Sequence, residues 1–326
     1  MKMYQITASA PGKCILFGEH AVVYGYTAVV SSIDIKSTCI IKETKIPGIK
    51  WNFLDFDQTF QYSMEDLGKI GSIPTEVTRN PFSQFFHALQ RITTDFGFKP
   101  EYMDISVSSN LWKNSGLGSS ASSACAFIKA LETYFSLNLT IDQINSYCFL
   151  MEKFVHGTPS GIDNTIITHS GSIVYKKPNF SHLDGIPRIP LLIINSGVIH
   201  KTAEAVSKVK KLREAAPKKT EQLFQQIEKI SLQGIVILKK GNIEQLAELF
   251  KENQKILEKL NLSTPEIHQI IEVGKEIGVK GVKITGAGLG GAVIAVAPEE
   301  RLQDYRQNLE KKGFRSILTY IGGDTD

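Results

Sequence analysis

The run KNSGLGSSAS, residues 113–122, has the composition of a phosphate-binding loop. Gly116 and Gly118 can adopt positive φ angles and carry no side chain, so successive backbone N–H groups can converge on an anion. A helical pattern follows over residues 119–135, and the positive end of its dipole would face the loop. An ordinary Ser/Gly connector with Ser119 as the helix N-cap explains this segment equally well when it is taken alone.

A second segment, APGKCILFGEHAVVYG, residues 10–25, groups Lys13, Glu19 and His20 between glycines, directly after a predicted strand. Taken singly, the lysine fits a surface position and the histidine fits a hydrogen-bonded core position. Each of these polar groups needs a partner if it is buried. Their grouping therefore favours a functional segment over a structural turn.

A third segment, residues 154–171, contains a turn at residues 159–161 followed by Asp163. Ser160 and Asp163 could form a helix capping box. Asp163 could equally well be a catalytic carboxylate. Glu152 lies upstream, near the end of the preceding predicted helix. Mg²⁺ prefers hard oxygen ligands, with one or two from the protein and the rest from phosphate and water. Glu152 and the Ser120 hydroxyl suit that role, which leaves Asp163 to orient or deprotonate an attacking hydroxyl.

The run KITGAGLGG, residues 283–291, matches GxGxxG through Gly286, Gly288 and Gly291. A dinucleotide fingerprint must open a helix early in a βαβ unit, whereas a strand-like AVIAVA follows this run. The sequence also lacks a Walker A motif. We therefore expect a strand, a glycine loop and a second strand, an arrangement that lets backbone approach a ligand closely.

Length and composition describe an ordinary globular protein. The 326 residues suggest two domains. Of these residues 42% are hydrophobic and 21% charged, and the net charge is only +4, so neither nucleic acid nor a membrane is an expected partner. The densest basic stretch, residues 208–219, has no interleaved aromatic residues and fits a solvated helix face better than a nucleic-acid site.

The four cysteines are widely spaced, which favours neither a disulfide framework nor a zinc site and indicates a reducing compartment. The N-terminal residues do not resemble a signal peptide, and no run of apolar residues is long enough to span a bilayer. We expect a soluble, cytoplasmic protein.

Hydrophobic periodicity predicts an α+β protein. Predicted strands cover residues 4–9, 28–33, 36–42, 104–108, 191–195, 281–285 and 292–297, a short strand pair lies around residues 171–176, and one more strand ends the chain. Predicted helices cover residues 82–95, 119–135, 140–155, 201–215, 220–239, 243–259, 264–277 and 299–312. A proline-rich link over residues 177–190 marks the boundary, which gives domains of residues 1–180 and 181–326.

The order and spacing of APGKCILFGEHAVVYG, KNSGLGSSAS, HGTPSGIDNTI and KITGAGLGG resemble the motifs of the GHMP small-molecule kinases over essentially the whole chain. The resemblance implies a two-domain fold: an ATP-binding N-terminal domain related to ribosomal protein S5, a ferredoxin-like C-terminal domain, and an active site between them. It also implies ATP and Mg²⁺ as cofactors.

Carried over position by position, the resemblance makes Asp163 and Lys13 the catalytic residues, and Ser120 and Glu152 the Mg²⁺ ligands. It places Glu19, His20 and Thr202 near the acceptor alcohol, together with Asp163. It implies ATP contacts at Ser109, Lys113, Asn114, Ser115, Gly116, Leu117, Gly118, Ser119 and Ser120. Phosphoryl transfer requires in-line positioning and charge neutralisation, which an anion-binding loop, a metal, a cation and a base supply.

The motifs GEHAVVYG and HGTPSGIDN most resemble those of the family members that phosphorylate the C5 hydroxyl of mevalonate in isoprenoid biosynthesis. The alternatives are members that act on phosphomevalonate, homoserine or galactose, and a non-catalytic sensor or an RNA-binding module built on the same fold. The presence of Lys13, Ser120, Glu152 and Asp163 argues against a silent kinase. Some relatives are homodimers, and nothing in this sequence selects an oligomeric state.

Overall fold

The computed structural model describes residues 4–62, 82–157, 159–199 and 202–323. These residues form eleven strands and nine α-helices. The strands are β1 (Gln5–Phe17), β2 (Ala28–Glu43), β3 (Ile49–Phe53), β4 (Gln58–Tyr62), β5 (Met103–Ser109), β6 (Ser172–Lys176), β7 (Asn179–His182), β8 (Ile189–Asn195), β9 (Gly281–Ile284), β10 (Ala292–Val296) and β11 (Arg315–Ile321). The helices are α1 (Ser83–Phe96), α2 (Ser119–Phe135), α3 (Ile141–His156), α4 (Ile162–His169), α5 (Thr202–Ala215), α6 (Pro217–Lys240), α7 (Ile243–Lys259), α8 (Pro265–Glu276) and α9 (Glu299–Lys311).

The described residues divide into two compact units, each built from separate parts of the chain. Unit 1 takes its residues from Met1–Gly12, Lys36–Leu111 and Ser119–His169. Unit 2 takes them from Lys13–Ile35, Trp112–Gly118 and Ser170–Asp326. The chain passes to unit 2 for the last time at residue 170, whereas the domain boundary predicted at residues 180 and 181 stays a prediction.

In unit 1 the strands pair in the order β4-β3-β5-β2. β3 and β5 run parallel, and Ser37–Glu43 of β2 pairs antiparallel with β5. The helices α1 and α2 each pack against α3, and α2 and α3 also contact α4. Thr140 starts α3 with a capping box, since its hydroxyl accepts from the Gln143 N–H and the Gln143 side chain accepts from the Thr140 N–H.

Small residues at the start of α2 bring this helix close to β1. Ala121 and Ala124 are buried, and the buried Ser122 hydroxyl donates to the Ala10 carbonyl at 2.9 Å. A larger side chain in the first turns of α2 would push the helix away from the strand. These packing contacts therefore place the beginning of α2.

In unit 2 the four strands β11-β8-β10-β9 form an antiparallel sheet. The residues of β8, β9 and β10 are almost all buried, whereas β11 is only partly buried. The helix α7 packs on β9 and β10, and α9 packs on β8 and β11. Ala28–Ser31 of β2 pairs with β6 in the same unit, and β6 pairs with β7. The polar Lys283 and Thr285 are nevertheless buried at the end of β9.

The predicted α+β class and the predicted helices are confirmed, with small changes at the ends. The bounds of α2 and α7 match the predicted ranges. The predicted strands over residues 28–33 and 36–42 form one strand, because Ile33 and Ile35 face the core while Asp34 points outward and the alternation continues. The sequence did not predict β3 and β4, which have only five residues each. The strand pair predicted around residues 171–176 is the single strand β6, and its partner β7 lies in the predicted link.

Within the described residues, no helix has the length and apolar character that crossing a membrane requires.

The packing of α6 against β1 depends on Gly234, whose added Cβ would lie 2.6 Å from Phe17 Cδ2. Phe17 is fully buried and packs edge to face with Phe250, so it has little room to move. We expect Gly234→Ala to lower the free energy of unfolding by about 1–3 kcal/mol, the usual cost of overpacking. Urea denaturation measures this change.

The control is Leu232→Ala on the same helix, because the Leu232 side chain is 51% exposed. Its expected effect is within about 0.5 kcal/mol. Equal effects of the two substitutions would contradict the packing argument.

Candidate active site

A tight turn follows β1 and carries the residues Gly18, Glu19 and His20; we call it the Gly18–His20 turn. Gly18 has φ +98°, and a Cβ there would lie 2.6 Å from the Thr27 carbonyl oxygen. Only glycine fits this position without displacing the backbone. The Ala21 N–H donates to the Glu19 carbonyl and the Val22 N–H to the Gly18 carbonyl, so the turn runs directly into a short 3₁₀ helix.

The Glu19 side chain is completely buried in unit 2. One carboxylate oxygen forms an ion pair with the equally buried Lys283 ammonium group, and the other accepts a hydrogen bond from Asn253 Nδ2 at 3.0 Å. Lys283 also donates to the Ile284 carbonyl at 2.7 Å. Burial lowers the pKa of Lys283, and the charge of Glu19 opposes that shift.

His20 takes a positive φ of 60°, which is uncommon for a residue with a side chain. Its Nε2 lies 2.7 Å from the Ala287 carbonyl oxygen. Because a carbonyl oxygen only accepts, Nε2 carries the proton in this contact. Ala287 belongs to the glycine loop after β9, so that loop fixes the orientation of the imidazole.

The predicted phosphate loop is anchored by backbone hydrogen bonds within unit 2. The Lys13 N–H donates to the Leu117 carbonyl at 2.9 Å, and the Ala292 N–H donates to the Ser115 carbonyl at 2.8 Å. The strands β1 and β10 thus hold the loop from two sides. The prediction that Gly116 and Gly118 have positive φ is confirmed, with values of 80° and 75°.

The other loop residues are arranged around these anchors. Asn114 also has positive φ, and the Ser115 hydroxyl donates to the Trp112 carbonyl at 2.7 Å. Lys113 and Asn114 are exposed, whereas Ser115 and Leu117 are buried. The exposed side of the loop is therefore the side available to a ligand.

In unit 1, α2 begins at Ser119 as predicted, and Ser119 and Ser120 lie half-buried in its first turn. Ser109 ends β5, and its hydroxyl lies 3.4 Å from that of Ser119. The Ser109 N–H donates to the Asp55 carboxylate at 2.6 Å. The contact with Asp55 was missed from the sequence, because Asp55 lies in a short 3₁₀ helix that directly follows the unpredicted strand β3.

The two candidate carboxylates lie on neighbouring helices of unit 1. Glu152 is buried near the end of α3, and Asp163 is half-buried in the first turn of α4. The Ile162 N–H donates to the Ser160 hydroxyl at 3.4 Å, so Ser160 helps to start this helix. Asp163 also places negative charge at the helix N-terminus, where the dipole favours it.

Contacts along α4 hold Asp163 in place. The side-chain amides of Asn164 and Asn145 are hydrogen-bonded at 2.7 Å, which joins α4 to α3. The Thr168 hydroxyl lies 3.8 Å from Cys125 Sγ on α2. Neither asparagine was singled out from the sequence, although Asn164 directly follows Asp163 in the third segment.

The predicted site residues fall into two groups. Unit 2 contains Lys13, Glu19, His20, Thr202 and the loop from Lys113 to Gly118, and unit 1 contains Ser109, Ser119, Ser120, Glu152 and Asp163. Lys13 is buried at the point where the phosphate loop meets β1, and Thr202 is exposed at the start of α5. Lys283 and Asn253 also belong to the group in unit 2, although neither was predicted as a site residue. For Asn253 the sequence held a signal, because this polar residue lies on the apolar face of α7.

No cluster of three or more histidine, cysteine or acidic side chains suited to a metal occurs in the part of the chain that the structure describes. The two metal ligands predicted from the sequence, the Glu152 carboxylate and the Ser120 hydroxyl, lie on the packed helices α3 and α2. Such a donor set suits a metal that takes its remaining ligands from phosphate and water.

Two family models match the chain. The model for the GHMP kinases N terminal domain covers residues 82–172, and that for the GHMP kinases C terminal covers residues 235–314. The first match includes the phosphate loop, Glu152 and Asp163. The second includes Asn253, Lys283 and the glycine loop after β9.

Whole-chain comparisons agree with these models. A mevalonate kinase from Methanocaldococcus jannaschii is 33% identical over 94% of this chain and 96% of its own length. The crystal structure of the Methanococcus jannaschii mevalonate kinase aligns with a TM-score of 0.86 at 30% identity, over 98% of this chain and 99% of that one. The L. major mevalonate kinase in complex with R-mevalonate aligns with a TM-score of 0.82 at 26% identity, over 99% and 98%.

Cys14 directly follows Lys13, and its thiol is an alternative candidate for a nucleophile. Cys14 is fully buried, and burial raises the pKa of its thiol to about 12. The thiol therefore stays neutral near pH 8, where a nucleophile would have to be a thiolate. We expect Cys14→Ala to keep turnover within about threefold of the unsubstituted chain, because the thiol takes no part in the chemistry.

Alkylation provides an independent check, since all four cysteines are free and buried. Iodoacetamide at pH 8 should leave the folded chain largely unlabelled under conditions that label all four thiols of the unfolded chain. Rapid labelling of Cys14 in the folded chain, or loss of turnover in Cys14→Ala without loss of stability, would contradict the exclusion.

Proposed function

This chain belongs to the GHMP kinases and, within them, to the mevalonate kinases, and from that premise we propose that it transfers the γ-phosphate of ATP to the C5 hydroxyl of mevalonate. The products are 5-phosphomevalonate and ADP. The observation that carries the proposal is similarity to a mevalonate kinase over 94% of a chain whose motifs contain Lys13, Ser120, Glu152 and Asp163. The reaction belongs to isoprenoid biosynthesis, and the cytoplasm remains the predicted compartment.

We assign the proton transfer to Asp163. Its carboxylate would accept the proton of the C5 hydroxyl while the hydroxyl oxygen forms a bond to the γ-phosphorus and the bond to the bridging oxygen of ADP breaks. The position of Asp163 supports this role, because the hydrogen bond between Asn164 and Asn145 fixes the helix that carries it. A base in a fixed position is already oriented for proton transfer, which lowers the entropic cost of reaching the transition state.

We assign charge stabilisation to Lys13 and the phosphate loop. Lys13 is a buried cation at the end of the segment that anchors the loop, where its charge is poorly screened by solvent. The loop backbone, with positive φ at Gly116 and Gly118, is suited to hold the phosphate oxygens of ATP. Both features favour the charge distribution of the transition state.

The donor set in unit 1 fits Mg²⁺ bound with ATP. Glu152 and Ser120 would supply its protein ligands, because both offer hard oxygen atoms and α2 packs against α3. When bound, the ion neutralises charge on the β- and γ-phosphates.

Acceptor alcohols distinguish this proposal from other functions of the same fold. The experiment measures ADP release by the purified chain with ATP and Mg²⁺, using mevalonate, phosphomevalonate, homoserine and galactose in parallel. We expect the highest kcat/KM with mevalonate. A higher value with another alcohol would reassign the substrate, and no ADP release with any of them would favour a non-catalytic sensor.

Asp163→Asn removes the proposed base while keeping the size of the side chain. We expect turnover to fall by roughly 10²–10⁴-fold, the usual contribution of general base catalysis. ATP binding, measured by isothermal titration calorimetry, should be nearly unchanged because the nucleotide contacts lie elsewhere. The matched control is Asp184→Asn, an exposed aspartate of unit 2, which should leave turnover unaffected. Near-normal turnover of Asp163→Asn would refute the assignment of the base.

A further inference from the structure

The carboxylate of Glu19 has no solvent-accessible surface. The resemblance to the family places this residue near the acceptor alcohol, but both of its oxygens are engaged with protein, one with Lys283 and the other with Asn253. A substrate hydroxyl could reach the carboxylate only if one of these partners moved away. Direct contact between Glu19 and the acceptor therefore conflicts with the packing.

Lys283 has further contacts with protein besides its ion pair with Glu19. It lies in β9, donates to the neighbouring Ile284 carbonyl, and places its ammonium group 5.5 Å from the centre of the Phe250 ring. A lysine in such surroundings is stable in its charged form only if a carboxylate compensates for the lost water. Lys283 and Glu19 thus require each other.

Asn253 connects this pair to α7. Its side chain is fully buried, and its Nδ2 donates to Glu19 at 3.0 Å. The next residue, Gln254, accepts from the Ile284 N–H at 3.0 Å and so ties the same helix to the end of β9. Two adjacent side chains of α7 therefore align the helix with both partners of the ion pair.

The contacts of Glu19 with Lys283 and Asn253 also support the backbone of the next residue, His20. His20 is held at φ +60°, with Nε2 bonded to the Ala287 carbonyl three residues after Ile284. The Gly18–His20 turn is thus held at two points: Glu19 on β9 and α7, and His20 on the glycine loop after β9. If the first point is released, the unusual backbone of His20 loses its support.

We propose that Lys283 and Asn253 are positioning residues of the acceptor site, and that Glu19 acts through them rather than by touching mevalonate. Together they hold the Gly18–His20 turn so that His20 faces the acceptor alcohol in one orientation. The inference rests on the proposed function for the identity of the acceptor. The positioning itself concerns contacts within unit 2.

A double-mutant cycle with Glu19→Gln and Lys283→Met tests the proposal. Each single substitution leaves one buried charge without its partner, which disturbs the turn. We expect each to lower kcat/KM for mevalonate by roughly 10–10²-fold, mostly through KM, with the KM for ATP nearly unchanged. The double variant has neither charge and should be more active than both single variants.

A direct contact between Glu19 and the substrate predicts a different result. In that case the double variant would be no more active than Glu19→Gln, because removing Lys283 cannot restore a lost substrate contact. That result would overturn the proposal. The matched control is Glu272→Gln with Lys275→Met, an exposed ion pair of unit 2 that should have no effect on either KM.

Asn253→Ala keeps the test decisive if the single charge variants fail to fold. This substitution removes one hydrogen bond to Glu19 without leaving a charge unpaired, so the chain should fold. We expect the KM for mevalonate to rise by roughly fivefold, the usual value of one buried hydrogen bond. An unchanged KM for mevalonate would count against the proposal.

Nuclear magnetic resonance of the His20 imidazole separates this inference from the proposed function. The ¹⁵N resonances, assigned by His20→Gln, should show a proton on Nε2 in the unsubstituted chain, a shift in each single variant, and a return toward the original position in the double variant. If the His20 resonances follow this pattern across the variants but the unsubstituted chain has no mevalonate kinase activity, the proposed function fails and the positioning stands. If activity is present and the His20 resonances do not respond to the cycle, the positioning fails.

Discussion

The buried ion pair between Glu19 and Lys283 is the interaction on which the acceptor side of the site depends. Removing two charges from water is costly, and the cost is recovered only when the partners meet with good geometry and further hydrogen bonds. Here Asn253 and the Ile284 carbonyl supply those bonds. The pair can form only when the end of β1, the strand β9 and the helix α7 are correctly aligned, so it favours one arrangement of the segments that carry the chemistry.

The phosphate loop is held in place by backbone hydrogen bonds and not by charged side chains. Hydrogen bonds from Lys13 and Ala292 attach it to β1 and β10, and glycines supply the positive φ angles that such a close path requires. One of these anchoring hydrogen bonds is donated to the Leu117 carbonyl by the backbone N–H of Lys13, the proposed catalytic lysine. A change in the loop therefore alters the backbone that carries Lys13.

Local patterns in the sequence predicted the α+β class and most of the helices, whereas the topology was implied only by the family resemblance and the roles of the site residues stay predictions. Helical periodicity located α2 and α7 to the residue, and the glycine and serine run correctly indicated a loop ahead of α2. The partners of the site residues could not be predicted in this way. Glu19 and Lys283 are 264 positions apart, and neither periodicity nor composition records such a pairing. The short strands β3 and β4 were missed because five residues carry too little alternation.

Phosphorylation of mevalonate at C5 by this chain can be followed by ³¹P NMR of the reaction. The sample contains the purified chain, R-mevalonate, ATP and Mg²⁺. We expect a new phosphomonoester resonance that is coupled to the C5 methylene protons and grows as ADP appears. A phosphomonoester without that coupling would place the phosphate on the tertiary hydroxyl, and the absence of any phosphomonoester would mean that mevalonate is not the acceptor; either result would refute C5 phosphorylation of mevalonate by this chain.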